Sequence, residues 1–152
     1  MGEEAVMRAV ILIGHGSRAA GADDDMERIS EGLRVKLGGI VATCRMSGRG
    51  IPFDEAFDQC VRQGAKSVIV LPYFLHFGVH LREDIPEMLR EAVAKHPEVR
   101  LVLGRHLGYD DVLVSLVEKR IEESMEFRDV RELSPAPIDC HPGEPGGDSR
   151  LE

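Results

Sequence analysis

Apolar residues fall in four short unbroken runs separated by amphipathic stretches, and that alternation predicts the fold. Arg8-Ala9-Val10-Ile11-Leu12-Ile13 is closed by Gly14, residues 40–44 follow Gly38-Gly39, residues 67–71 follow Gly64, and residues 99–103 follow His96-Pro97. Continuous runs of this kind mark strands buried on both faces. Between them the period changes to three and four residues, the mark of a helix with one apolar face. Met26, Ile29, Leu33 and Leu37 make that face for a helix over residues 23–37, with Asp23, Asp24 and Asp25 at its electropositive start. Phe53, Ala56, Phe57, Cys60 and Val61 make it for residues 52–63, and Ile85, Met88, Leu89, Ala92 and Val93 for residues 84–95. Pro86 then falls in a first turn, where a missing N–H is tolerated. Val112, Leu116, Val117 and Ile121 predict a last helix over residues 109–125.

The order is βαβαβαβα with short connections, which points to an α/β domain: a four-stranded parallel sheet between helices, three layers in all. A chain of 152 residues fits one such domain. Residues 1–126 are expected to form it. Residues 127–152 are expected to be a flexible C-terminal tail, because Ser134-Pro135-Ala136-Pro137 and Pro142 to Ser149 offer little to pack.

Composition narrows the function. Hydrophobic residues at 43% and charged residues at 30% suit a soluble protein, and no run approaches the ~20 apolar residues of a membrane span. The acidic start Met1-Gly2-Glu3-Glu4-Ala5 lacks the basic opening of a signal peptide, so a cytoplasmic location without membrane contact is expected. A net charge of −8 argues against a broad nucleic-acid surface. Cys44, Cys60 and Cys140 contain no CxxC and read as free thiols, the first two as small core residues.

The candidate chemistry lies in two strand-to-helix loops. Gly14-His15-Gly16-Ser17 follows the first run, and Pro72-Tyr73-Phe74-Leu75-His76-Phe77-Gly78-Val79-His80 follows the third. In a parallel sheet such loops share the carboxyl edge, where α/β proteins bind ligands. Gly14-x-Gly16 lacks the third glycine of a dinucleotide fingerprint, and a nucleophile elbow would place serine between the glycines. Imidazoles on one edge suit a metal, a proton or both. His76 reads as pocket-lining rather than as a ligand, His96 as a helix-end residue, and His106 as a third histidine expected on the same edge. Cys140-His141 in the tail is a weak metal pair.

The motifs Ile13-Gly14-His15-Gly16-Ser17-Arg18, Pro72-Tyr73-Phe74-Leu75, Gly78-Val79-His80 and Asp84-Ile85-Pro86 resemble those of the small class II tetrapyrrole chelatases, the sirohydrochlorin cobaltochelatases and ferrochelatases. Leu107-Gly108-Tyr109 with Leu116 to Ile121 resembles the start and middle of that family's last helix. The resemblance runs from about Arg8 to Glu123. It implies a chelatase-like fold of flavodoxin-like topology, a homodimer that completes the cleft, and insertion of Co²⁺, alternatively Ni²⁺ or Fe²⁺, into sirohydrochlorin. His15 and His80 would bind the metal, one of them serving as base. Ser17, Arg18, Arg45, Arg49, Phe74, His76 and Arg82 would meet the tetrapyrrole. The metal is a substrate, and no permanent cofactor is implied.

One departure stands out. Many relatives carry a Glu in the loop after the second strand, whereas here that loop reads Arg45-Met46-Ser47-Gly48-Arg49-Gly50-Ile51-Pro52. The missing acid keeps a rival reading open, a non-catalytic metal-binding or delivery protein on the same fold. A phosphoryl-transfer enzyme built on Gly14-His15-Gly16 is a second rival, disfavoured because such chemistry usually places Arg beside the His.

Overall fold

The four apolar runs form one parallel sheet. Its strands are β1 (Arg8–Gly14), β2 (Ile40–Arg45), β3 (Ser67–Pro72) and β4 (Arg100–Leu103), in the order β2-β1-β3-β4. The structure is a computed structural model and describes residues 7–16, 24–47 and 50–133. The chain divides between Gly108 and Tyr109 into two compact units. The first holds the sheet with helices α1 (Asp24–Leu37), α2 (Phe53–Arg62) and α3 (Val79–Ala94); the second holds α4 (Asp111–Ser124) and a 3₁₀ turn, Val130–Glu132. No helix among the described residues is long and apolar enough to cross a membrane.

Strand alternation assigns the faces. Ala9, Ile11 and Ile13 of β1 point the same way as Cys44, Val68 and Val70, and pack with Phe53, Phe57 and Cys60 of α2 and Ile85, Leu89 and Ala92 of α3. The opposite face meets α1. There the Thr43 hydroxyl donates to the Glu27 carboxylate, Arg34 Nε donates to the Val41 carbonyl at 3.0 Å, and the Met26 sulfur lies 3.3 Å from an Arg45 nitrogen. The unit therefore has the three layers expected.

Three details differ from the reading of the apolar pattern. On α1 the inward face is Met26 and Ser30 rather than the full apolar stripe: Ile29 and Leu37 are exposed. Polar partners on β2 orient the helix, and the Ser30 hydroxyl is satisfied by the Glu27 carbonyl at 2.7 Å, so it is buried cheaply. Helix α3 begins at Val79, capped by Gly78, five residues before the expected start. Pro86 is thus inside the helix; burial of Ile85 and partial burial of Leu81 against the core offset the lost hydrogen bond. His96 does not simply face the helix end. Its Nε2 lies 2.8 Å from an Asp58 oxygen of α2, and its ring meets Phe57 edge-on.

Helix α4, taken by itself, has Asp110 as its N-cap, accepting from Val112 N–H, and no buried residue. Val112, Leu116, Val117 and Ile121 all fall within this helix, as expected. The 3₁₀ turn is capped by Asp129, which also pairs with Arg131; that pairing holds the Asp129 carboxyl down at about 2.

Burial pushes the Cys44 thiol up to about 12 and the Cys60 thiol to about 11. Both are therefore protonated and shielded near neutral pH, and inert as nucleophiles. A Cys140→Ser variant is expected to take up no thiol reagent at pH 8 while native, and two equivalents once unfolded; labelling of the native variant would count against this packing. The sign of the pH effect also follows. Unfolded thiols lose their protons from the ordinary value of 9.0 upward while the folded ones retain theirs, so stability falls as pH rises past that point.

Candidate functional site

The strand order reverses direction at β1 and β3: the chain steps from β1 outward to β2, then returns to add β3 on the other side. Loops leaving the two strands diverge there and open a crevice at the carboxyl edge. The register places Ile13 opposite Pro72, and Tyr73 N–H donates to the Ile13 carbonyl at 2.8 Å, so the two loops leave the sheet side by side.

His15 stands at the end of β1. Its ring is exposed at one side and lies against Phe74, the centroids 4.1 Å apart and the planes tilted by 51°. Phe74 is itself buried and fixes that wall. The backbone around His15 is pinned from the β2 loop. Met46 N–H donates to the Gly14 carbonyl at 2.9 Å, Ser47 N–H to the His15 carbonyl at 3.2 Å, and the Ser47 hydroxyl to that same carbonyl at 3.3 Å. Gly16 has φ +91°, and a Cβ there would stand 1.7 Å from the Ser47 carbonyl oxygen. Only glycine fits so close a crossing of two backbones.

His80 is the second residue of α3, not a loop residue as expected; the helix starts earlier because Gly78 supplies the cap. It stays at the carboxyl edge of β3, in the first turn of the helix that this strand feeds. Arg82 is exposed, and its Nε donates to the Phe77 carbonyl at 3.0 Å, bracing the same turn. His76 is exposed on the connecting loop. His106 follows β4 and stacks on Phe77, centroids 5.3 Å apart and planes 18° from parallel. Leu107 N–H donates to the Phe74 carbonyl at 3.1 Å, so the β4 loop is tied to the β3 loop at two points.

Arg45 is the last residue of β2. It is 7% exposed, on the α1 face of the sheet, with one guanidinium nitrogen 3.3 Å from the Met26 sulfur and 3.4 Å from the Cys44 carbonyl. Odd-numbered residues of β2 face α1, and residue 45 is the last of them, so its side chain runs beside the Gly14 turn. Ser17, Arg18, Arg49 and the Cys140-His141 pair lie outside the described residues.

Among the described residues no three His, Cys, Asp or Glu side chains gather as metal ligands. The stacking of His106 and the backbone clamp from Met46 and Ser47 escaped the reading of the sequence. Their only linear trace is Gly108, two residues after His106, where a Cβ would come within 3.0 Å of the imidazole Nε2.

The fold has counterparts among known proteins. The sirohydrochlorin ferrochelatase of Bacillus subtilis (strain 168) is 29% identical over 117 residues, 76% of this chain and 45% of that one. The sirohydrochlorin cobaltochelatase of Priestia megaterium is 33% identical over 121 residues, 79% of this chain and 39% of that one. Among solved structures, the sirohydrochlorin chelatase SirB from Bacillus subtilis subspecies spizizenii in complex with cobalt superimposes with a TM-score of 0.70 at 28% identity, over 76% of this chain and 50% of that one. The chain thus spans about half the length of these relatives. The CbiX family profile matches residues 9–124, which takes in the sheet, the His15 turn, the His80 helix and α4 together, and this chain belongs to the CbiX family.

Proposed function

We propose that this chain is a chelatase that inserts a divalent metal into sirohydrochlorin, with Co²⁺ as the first candidate and Ni²⁺ or Fe²⁺ as alternatives. The observation that carries the reading is the placing of two histidines at the switch point of the sheet, His15 at the end of β1 with its ring against Phe74 and His80 as the second residue of the helix that follows β3. Relatives named for both cobalt and iron insertion support the reaction and leave the metal open.

The chemistry asks little else of the protein. A free-base tetrapyrrole loses two N–H protons as a divalent ion enters. Neutral imidazole binds Co²⁺, Ni²⁺ and Fe²⁺ and also accepts a proton near pH 7. One histidine can hold the ion while the other takes a pyrrole proton. Ser17, Arg18, Arg49, Phe74, His76 and Arg82 are proposed to meet the macrocycle. Arg82 and Arg105, both exposed, supply local positive charge for a polycarboxylate on a chain whose net charge is −8. Arg45, at the end of β2, is proposed to meet the macrocycle too. A second copy of the chain is proposed to complete the cleft. A cytoplasmic location is part of the same proposal.

The test is anaerobic Co²⁺ insertion into sirohydrochlorin followed by absorbance. General acid–base and ligand roles predict that His15→Ala and His80→Ala each lower kcat/KM by about 100-fold or more. A second reading, metal delivery without turnover, is favoured by the absence of an acid in the β2 loop. It wins if the wild-type chain binds Co²⁺ yet never exceeds the uncatalysed rate with Co²⁺, Ni²⁺ or Fe²⁺.

A further inference from the structure

The loop after β4 touches the carriers of both site histidines. Leu107 N–H bonds to the carbonyl of Phe74, whose ring supports His15. His106 stacks on Phe77, which immediately precedes Gly78, the cap of the helix that bears His80. Phe77 is half-buried against the core, its carbonyl accepts from Arg82 Nε at 3.0 Å, and the Gly78 carbonyl accepts from Arg82 N–H at 3.1 Å. The first turn of α3 is therefore set by where the Phe77 ring lies, and the imidazole of His106 covers one face of that ring.

We propose that His106 is a positioning residue for the metal site: it fixes Phe77 and, through it, the turn that presents His80. It acts by its planar face, not as a ligand. Gly108 belongs to the same device. Its φ is +53°, and any side chain there would press on Nε2 of His106 and tilt the ring out of the stack. The Leu107-Gly108-Tyr109 motif thus gains a role beyond starting α4. This inference rests on the chelatase reading for its catalytic consequence, though its structural part stands without it.

Four variants separate the outcomes: His106→Phe, His106→Ala, His106→Leu and Gly108→Ala. Two readouts are taken, Co²⁺ insertion into sirohydrochlorin and amide hydrogen exchange of residues 79–82. His106→Phe keeps the stack and is expected to stay within about twofold of wild type in both, while His106→Ala and Gly108→Ala lose about tenfold in kcat and gain a similar factor in exchange, near the upper end of what one aromatic pair contributes. Should the alanine variant fail to fold, His106→Leu replaces it. His106→Phe as slow as His106→Ala would overturn the proposal in favour of direct imidazole chemistry, and so would unchanged exchange in every variant. If the wild type itself shows no turnover, the chelatase reading fails while the exchange arm still decides the role of His106.

Discussion

Gly16→Ala is expected to lower metal insertion on the order of 100-fold while leaving the sheet folded, because a misplacement of about 1 Å at a reacting group can cost that much. Two effects act at once. The residue sits at φ +91°, where an L-residue is strained, and its new Cβ would overlap the Ser47 carbonyl oxygen at 1.7 Å. The strain alone costs about 1–3 kcal/mol. The overlap is not relieved by a rotamer change, since the atom met is backbone. The β2 loop and the His15 turn must separate, which breaks the bonds from Ser47 N–H and Ser47 hydroxyl to the His15 carbonyl. His15 then loses its setting against Phe74. Gly14→Ala is the built-in control. Its Cβ would meet the Met26 sulfur at 3.2 Å, the flexible end of a side chain that can move aside. The measurement is kcat/KM for Co²⁺ insertion beside the urea midpoint of each variant. Gly16→Ala with wild-type turnover would show that the crossing of the two loops does not matter to the site.

Phe57→Ala is the substitution expected to harm stability most, by about 3–5 kcal/mol. Phe57 is fully buried, stacks on Phe53 at 5.7 Å with planes 11° apart, and receives the His96 ring edge-on at 5.4 Å. Removing it opens a cavity bounded on two sides by rings whose positions depend on it. Phe53 opens α2, and the His96 bond to Asp58 at 2.8 Å links the end of the α3 segment back to α2, so neither can collapse freely into the space. Against a total of about 5–15 kcal/mol for a domain of this kind, the loss is a large share. The check is a fall in the urea midpoint at unchanged slope. A loss below about 1 kcal/mol would mean that the α2 layer repacks, contrary to the close packing of protein interiors. Because Phe57 lies away from the carboxyl edge, turnover per folded molecule is expected to hold at low temperature.

Much of the fold was legible along the chain. Ile11, Ile13, Val68 and Val70 read as core because continuous apolar runs between short helical stretches have one economical solution, a parallel sheet covered on both faces. The stripe of α2 was equally clear, since Phe53, Ala56, Phe57 and Cys60 recur at helical spacing and all four are buried. Helix α1 was less so. Ile29 and Leu37 continue the apolar period yet are exposed, because Glu27 and Arg34 answer polar groups on β2 and rotate the helix to reach them. The start of α3 misled for a similar reason. Pro86 marks a boundary in isolated sequence, whereas the buried Ile85 beside it holds the helix through the proline.

The candidate site divides along the same line. His15 and His80 stand out in the sequence through their glycine neighbours and their place after apolar runs, and local covalent geometry is enough to put both at the carboxyl edge. What the linear chain withholds is every contact made across loops. That Arg45 turns inward follows from its odd position on β2, but only once β2 is known to have α1 on that face. The stack of His106 on Phe77 joins residues 29 apart in sequence, and the bond from Ser47 to the His15 carbonyl joins residues 32 apart. Short-range sterics and hydrophobic period are enough to settle the elements, their order and the histidines at their ends. Which ring supports His15 and which arginine is buried depend instead on strand register and on the pairing of loops that meet once the sheet has closed.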